Sequence, residues 1–561
     1  MTNKKKLTID PSSWVFFLYG FGILIFLSSM LISQSLQFII KGKISIISFF
    51  IGILALLVFF LYGSKKLDYS FKKRVFFLFI LLLLMLIIII FASYFYDASW
   101  DGRDYHHKAI VELHDGWNPV YQTIEPQNIY FNVWLNHYPK ATWILSSIFY
   151  FITGNFESGK SINTLVLLSV LFLSFSLFRS IQIKPIMSIL FSIFIAFNPV
   201  SITQLLTSYI DGIGGSFISL LILFSILIWI HRIPLWLQFV GYLSIFSIGL
   251  NIKFTTTAYL AIVFIGILAL YFFLKRDEFY KTLLIATSVC VFSVLVIGFN
   301  PYVTNFINYG NPLYPTLGDS EYNIQYVMQN QMPSNFIPLS GIEKTFLSIF
   351  SPSQNTYGSD SGPIKFPLSI TKSELKAFGI PDTRVAGWGP LFGASLIITI
   401  FMIIILFLRK SHFRYWWLLI TGVILITLMI NPESWWARYS PQLWLIPVIT
   451  LIFFWLTIKL PIMEKSLSYI LITLLLLNIL MIAGANLYKN INISSYLVNE
   501  LEIIKNTEQQ IYIFDSPLNS IETTLNDKEI PFVVVADPSK LISPRTLLPG
   551  VEYSFSISET P

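Results

Sequence analysis

Between Asp97 and Tyr121 the chain reads Asp-Ala-Ser-Trp-Asp-Gly-Arg-Asp-Tyr-His-His-Lys-Ala-Ile-Val-Glu-Leu-His-Asp-Gly-Trp-Asn-Pro-Val-Tyr. Asp97, Asp101 and Asp104 are spaced so that several carboxylates gather within one or two turns of chain. A carboxylate held near a hydroxyl can take its proton and make it a nucleophile. Asp101 before Gly-Arg-Asp also suits an N-cap, with Asp104 near the positive helix end. A cap needs one acid, however, and here three acids, His106, His107 and several aromatics crowd together. The stretch is therefore read as a candidate active site. Asp101 and Asp104 are its candidate catalytic acids, and Asp97, Tyr105 and His106 its candidate binding residues. Asp97, Asp101, Asp104 and His106 could also ligate a divalent ion, and the spacing leaves metal use open.

Four further clusters carry chemistry. Asp211 ends the turn Tyr209-Ile-Asp-Gly between two apolar runs, where an acid is costly unless it is used. Asn251 and Lys253 interrupt apolar sequence in the same way, and a lysine there either snorkels or binds phosphate. Tyr309-Gly-Asn-Pro-Leu-Tyr-Pro315 reads as an ordered turn whose tyrosines could face a sugar or a lipid. Glu433-Ser-Trp-Trp-Ala-Arg-Tyr-Ser-Pro441 sets Arg438 beside Trp435 and Trp436. The two indoles suit a membrane interface, and the guanidinium suits a bidentate grip on phosphate. Acids, separated cations and aromatics on one bilayer face are the equipment for moving a group off a lipid phosphate.

What must hold these residues is a membrane bundle. Of 561 residues, 55% are hydrophobic and only 12% charged, about half the charged share of soluble domains. The net charge of +7 comes from Lys and Arg in short loops, which reports orientation in a bilayer and not affinity for nucleic acid. The single cysteine, Cys290, excludes an intramolecular disulfide framework. No cleavable leader is expected. No Walker or other nucleotide-binding glycine loop is present, in keeping with a non-nucleotide donor.

Spans are expected at Trp14–Ser33, Ile44–Tyr62 and Val75–Phe95, the last delivering Asp97 to the outside. Ala141–Thr153 is too short to span comfortably and reads as a surface helix or a re-entrant segment, while the Tyr105, Ala109, Ile110, Leu113 face reads as a surface helix. Further spans are expected at Ser161–Phe178, Ile186–Leu206, Ile213–Ile230, Leu235–Leu250, Thr255–Leu274 and Leu283–Phe299. Leu391–Leu408, Tyr415–Ile430, Leu443–Ile458 and Leu467–Leu487 follow, about thirteen helices in all. Basic loops then lie inside, and loops 96–160 and 300–389 and the tail outside. The tail, 489–561, carries strand-like runs at 511–515, 532–537 and 551–557, hence a small α/β appendage.

At this point the sequence resembles the GT-C superfamily of polytopic glycosyltransferases, especially the aminoarabinose transferases and protein O-mannosyltransferases. Asp101-Gly-Arg-Asp-Tyr105 looks like their acid at the start of the first outer loop. Tyr138-Pro-Lys-Ala-Thr-Trp-Ile-Leu through Gly154, Lys160 to Leu165, Asn198-Pro199 to Asp211, and Leu250-Asn-Ile-Lys-Phe-Thr-Thr256 resemble later family elements. The likeness covers roughly Val75 to Phe299 and extends less securely to Ile458. It implies a mainly α, GT-C-like bundle over 75–488, preceded by two additional helices in 1–74. It also implies inverting transfer of a sugar from a polyprenyl-phosphate donor to a glycan, lipid or protein acceptor, with Asp101 as base. Gly102 stands where the family has Glu, and this leaves Asp97 and Asp104 as rival bases. Two other readings are a polysaccharide polymerase or ligase and, ranked lowest, a lipid-linked sugar flippase, since no internal repeat is visible. A cysteine introduced beside Trp100 is expected to react with a membrane-impermeant reagent added outside intact cells. Labelling from the cytosolic side alone would overturn the topology.

Overall fold

Unbroken runs of Leu, Ile and Phe in a bilayer satisfy their backbone groups only as helix, and helix is what the chain forms. A computed structural model describes residues 11–67, 69–125, 129–231, 233–318, 331–355, 358–457, 461–515 and 520–558. In chain order come α1 (Pro11–Ile39), α2 (Ile46–Gly63) and α3 (Phe71–Tyr94). The next stretch holds the short α4 (His107–His114) and α5 (Ala141–Thr153). Then follow α6 (Ser161–Ser180), α7 (Pro185–Ala196), α8 (Asp211–Ile230), α9 (Leu235–Gly249), α10 (Phe254–Leu274) and α11 (Arg276–Phe292). After a long segment that includes the short helices Gly341–Phe350 and Lys372–Ala377 lie α12 (Phe392–Leu408), α13 (Phe413–Met429), α14 (Leu445–Leu456) and α15 (Ile462–Thr507). Among the described residues eight of these helices, α1, α2, α3, α6, α8, α10, α11 and α15, are with their flanking turns long and apolar enough to cross a membrane.

One hydrophobic core runs from Trp14 to Ile482. Of the long helices α1 is the most deeply embedded, packed against α2, α6 and α9. The expected span over Ile186–Leu206 is broken. Helix α7 stops at Ala196, and Pro199 opens a separate turn of helix, Pro199–Gln204. The cause is local: a residue before proline avoids the α region, and Asn198 instead caps the next turn by accepting from the Val200 amide. Its amide group then donates to the Pro441 carbonyl across the bundle.

Helix α15 is longer than the expected Leu467–Leu487. Its 46 residues reach about 69 Å, more than twice a hydrocarbon core of about 30 Å. Its final turns lay Leu497, Leu501 and Ile504 on Ile511, Ile513, Val551 and Tyr553 of a four-stranded sheet. The strands are β1 (Ile511–Asp515), β2 (Phe532–Val534), β3 (Arg545–Leu548) and β4 (Val551–Ser554), ordered β2-β1-β4-β3. β1 pairs parallel with β2 and antiparallel with β4. Strand β3, set by a tight turn against β4, has no period-2 apolar pattern of its own and was not expected; β2 and β4 end earlier than expected, at Val534 and Ser554.

This sheet is pinned to the stretch after α3. Arg103 is buried and donates from Nε to Ser520 Oγ at 2.9 Å and from Nη1 to the Pro549 carbonyl at 2.7 Å, while Nη2 lies 3.3 Å from Asp515. Tyr150 donates to Asp527 at 2.8 Å, and the Tyr96 amide to Ser494 at 3.0 Å. Breaking one partner of a buried ion pair costs about 3–5 kcal/mol. Arg103→Ala is expected to destabilise the chain on that order and to expose the residues after Asn490 to limited proteolysis. Unchanged digestion would remove Arg103 as the anchor.

Candidate active site

Several helix ends converge on the same end of the bundle. Asp101 follows the C-terminal end of α3, Asp211 opens α8, and Lys253 immediately precedes α10. Arg438 lies in the turn between α13 and α14, and Asp382 and Arg384 lie in the segment leading to α12. The antiparallel run of helices thus gathers residues scattered over more than 300 positions.

Arg438 is the hub. Its Nη1 lies 2.8 Å from Asp101 Oδ2 and 3.1 Å from Asp382 Oδ1, and its Nε lies 4.0 Å from Asp211 Oδ2. Nη2 donates to the Tyr439 hydroxyl at 3.1 Å. The guanidinium carbon sits 4.5 Å from the centre of the Trp436 ring, 5.0 Å from Tyr439 and 5.3 Å from Tyr209, a cage that holds a planar cation by its faces. Lys253 Nζ reaches Asp211 Oδ1 at 2.7 Å and lies over the Tyr439 ring. Arg384 Nε reaches Asp382 Oδ2 at 2.6 Å. Asp101, Asp211 and Asp382 are therefore matched by Arg438, Lys253 and Arg384. Of the six, Asp101 is the most open, with 23% of its side chain exposed. One donor is unused: Arg438 Nε is buried and finds no hydrogen-bond acceptor among the described residues.

The turn bearing Asp101 is built by Asp97. That carboxylate accepts from the Ser99 amide and hydroxyl and, at 2.6 Å, from the Ser208 amide, so its oxygens are spent on the backbone. It is a positioning residue and does not face the Arg438 cluster. A Cβ on Gly102 would come within 2.2 Å of Asp97 Oδ2 and 2.3 Å of Ser99 Oγ. No side chain fits there, which gives a physical reason for glycine at this position. The helix expected from Tyr105 begins only at His107, after a wide turn over Gly102–His106 in which Asp104 leaves helical geometry at ψ −120°.

Asp104 is buried, and its carboxylate makes no hydrogen bond among the described residues. Burial, with the nearby Asp101 charge, raises its pKa to about 7, against a smaller opposing pull from Lys108. Trp143 Nε1, which can only donate, gives its proton to His106 Nδ1 at 2.6 Å. His106 therefore carries its own proton on Nε2. Burial holds its pKa down near 3, with Lys253 and Arg438 adding to the effect and Asp101 and Asp211 opposing it. It is a neutral donor and not a cation. Tyr105 packs against it with the rings tilted, centroids 4.2 Å apart.

Trp435 and Trp436 are fully buried and offer no face to a membrane interface. Trp435 packs on Phe336 and donates to Glu433, away from the cluster. Trp436 lies under both Arg438 and Arg384 and donates to the Asp382 carbonyl at 2.6 Å, so it positions the cations. Tyr309 and Tyr314 stack on each other at 3.9 Å. Among the described residues no group of three or more His, Cys, Asp or Glu comes together as a metal site, so Asp97, Asp101, Asp104 and His106 do not form one.

The sequence reading overlooked Asp382 and Arg384, an acid and a base two apart in a long loop, and it gave no role to Tyr209 or Tyr439. Tyr209 accepts from the Asp101 amide at 3.4 Å and carries one face of the Arg438 cage. Only the adjacency of Tyr209 to Asp211, and of Tyr439 to Arg438, could have drawn attention to them.

No family, curated protein or solved structure matches this chain. The site must be interpreted on its own chemistry.

The raised Asp104 pKa has a consequence for stability. The folded chain keeps a proton that the unfolded chain, with an ordinary aspartate near 3.8, has already lost. Stability therefore falls as pH rises from about 4 to 7, and the full cost remains above 7. Asp104→Asn removes that cost, so its gain in Tm over the unmodified chain is expected to be larger at pH 8 than at pH 5. Equal gains at both values would show that Asp104 does not hold its proton.

Proposed function

We propose that the protein is a membrane glycosyltransferase of GT-C-like architecture. In this reading it moves a sugar from a polyprenyl-phosphate donor to an acceptor hydroxyl, with inversion, on the extracytoplasmic face. The topology taken with it counts α1–α3 and α6–α15 as about thirteen crossings, α4 and α5 as surface helices, and the sheet as a small extracytoplasmic unit. The supporting observation is the Arg438 hub: a buried guanidinium that holds the partly exposed carboxylate Asp101 on one nitrogen while its Nε has no acceptor among the described residues.

The chemistry follows from competition for that guanidinium. An arriving donor phosphate supplies oxygens for Arg438, a fork matched to phosphate, and for Lys253 behind it. Asp101, the most open of the three carboxylates on Arg438, is the one displaced. Freed beside the sugar, it accepts the proton of the acceptor hydroxyl as the new oxygen–carbon bond forms. The bond from the anomeric carbon to the phosphate oxygen breaks with its electron pair on phosphate, and the two cations meet that growing charge. His106 offers a neutral Nε2–H to the sugar. Asp104, its pKa raised by burial, carries less negative charge near the incoming phosphate than an ordinary aspartate would.

Purified full-length protein is to be assayed with a panel of polyprenyl-phosphate sugars and hydroxyl acceptors, following release of polyprenyl phosphate. Asp101→Asn is expected to lower turnover roughly 10²- to 10⁴-fold with normal membrane insertion, and to lower the unfolding temperature through loss of the ion pair with Arg438. Arg438→Lys, which keeps the charge and loses the fork, is expected to weaken donor binding. Full turnover in Asp101→Asn would remove it as the base. Movement of the donor across vesicles without release would favour a flippase, and extended glycan products a polymerase.

A further inference from the structure

A second site lies behind the wall that carries Asp382. The outer part of α15, the short helix Lys372–Ala377 with the turn that follows it, and the β3–β4 turn enclose an open cleft of about 890 Å³. That is within the range of ligand pockets of small molecules. Its floor is one face of α15, where Met481, Gly484, Ala485 and Tyr488 follow one another at helical spacing. A Cβ on Gly484 would meet nothing within 4 Å, so the floor is open at its middle. Two cations line the cleft, Lys376 and Lys489, and no acid does. Neither lysine meets a carboxylate among the described residues. The Lys489 stem is fixed by the turn across from it, since a Cβ on Gly379 would lie 3.1 Å from its Cβ and Cγ.

The position of the cleft along α15 says what fits it. From Ser466 to Tyr488 the helix carries no charged residue, a stretch of about 35 Å, and Lys489 is the first charge beyond it. A first lysine after an apolar run marks the headgroup level of a bilayer. Met481 to Ala485 then lie at hydrocarbon depth and the two ammonium groups at the level of the headgroups. We infer that this cleft seats a membrane lipid with an anionic phosphate headgroup, its chain along Met481, Gly484 and Ala485 and its phosphate between Lys376 and Lys489. The lipid enters sideways from the leaflet on the same side as the sheet.

The inference is independent of the transferase reading, because it needs no chemistry at Arg438. Both walls nonetheless connect to that centre. Ile380 lines the cleft two residues before Asp382, and Pro549 lines it while its carbonyl is held by Arg103. Occupancy of the cleft is thus placed to bear on both the Asp382 segment and the Asp101-Gly-Arg-Asp turn.

The test uses full-length protein in detergent, titrated with phosphatidylglycerol, phosphatidylcholine or inorganic phosphate and read by native mass spectrometry. Phosphatidylglycerol is expected to be retained in preference to phosphatidylcholine. Lys376→Gln with Lys489→Gln is expected to weaken its retention on the order of tenfold. Both lysines are exposed, so the fold should survive; Gly484→Phe, which fills the floor, should weaken retention without touching a charge. Unchanged retention in the double lysine variant would overturn the inference. Equal retention of the two lipids, or displacement of phosphatidylglycerol by an equal concentration of inorganic phosphate, would do so as well.

Discussion

The contact between Arg438 and Asp101 joins residues 337 positions apart, and the geometry of the site depends on it. A guanidinium this deep is stable only because carboxylates and aromatic faces surround it. Those groups come from four separate stretches of chain, at Asp101, Tyr209 to Asp211, Asp382, and Trp436 to Tyr439, so the bundle must close in one register before any of them is neutralised. Take Arg438 away and Asp101, Asp211 and Asp382 are left as like charges at one end of the bundle, two of them with a second cation and Asp101 with none. The same contact that organises the fold is the one a phosphate can contest, because a fork that grips a carboxylate grips a phosphate equally well.

The short turn from Asp97 to Asp104 divides its labour residue by residue. Asp97 spends its oxygens on amides at Ser99 and Ser208, and Gly102 leaves room for that carboxylate. Asp101 faces the cations, Arg103 faces away to the sheet, and Asp104 is buried with its pKa raised. Four acids and bases in eight residues thus have four different environments. Sequence spacing brings them together, and packing alone tells them apart.

That division explains what could be read in advance. Helix positions were legible because apolar length and basic loops are one-dimensional signals, and most expected spans coincide with helices. The break at Asn198-Pro199 was written in the sequence but masked by apolar residues on both sides. Asp101, Asp211, Lys253 and Arg438 stood out as charges next to apolar runs, where a charge needs a reason. Asp382 and Arg384 did not, because a long polar loop gives every charge an ordinary excuse. Asp97 was legible as an acid but not as a cap, and Trp435 and Trp436 as aromatics but not as core. In these cases the residue type was clear and the direction of the side chain was not.

The shortness of α7 and α14 bears on how any substrate would arrive. Each has 12 residues, about 18 Å of helix, and they pack side by side with Trp444 donating to the Phe194 carbonyl. A hydrocarbon layer is about 30 Å thick, so the turns that follow α7 and precede α14 cannot both start and finish at its two surfaces. Were α7 and α14 to stand in a bilayer of ordinary thickness, the chain around Asn198 and Arg438 would lie below the level of the headgroups. A hydrophilic molecule would then have to descend to it, while a lipid-borne one could slide in from the side.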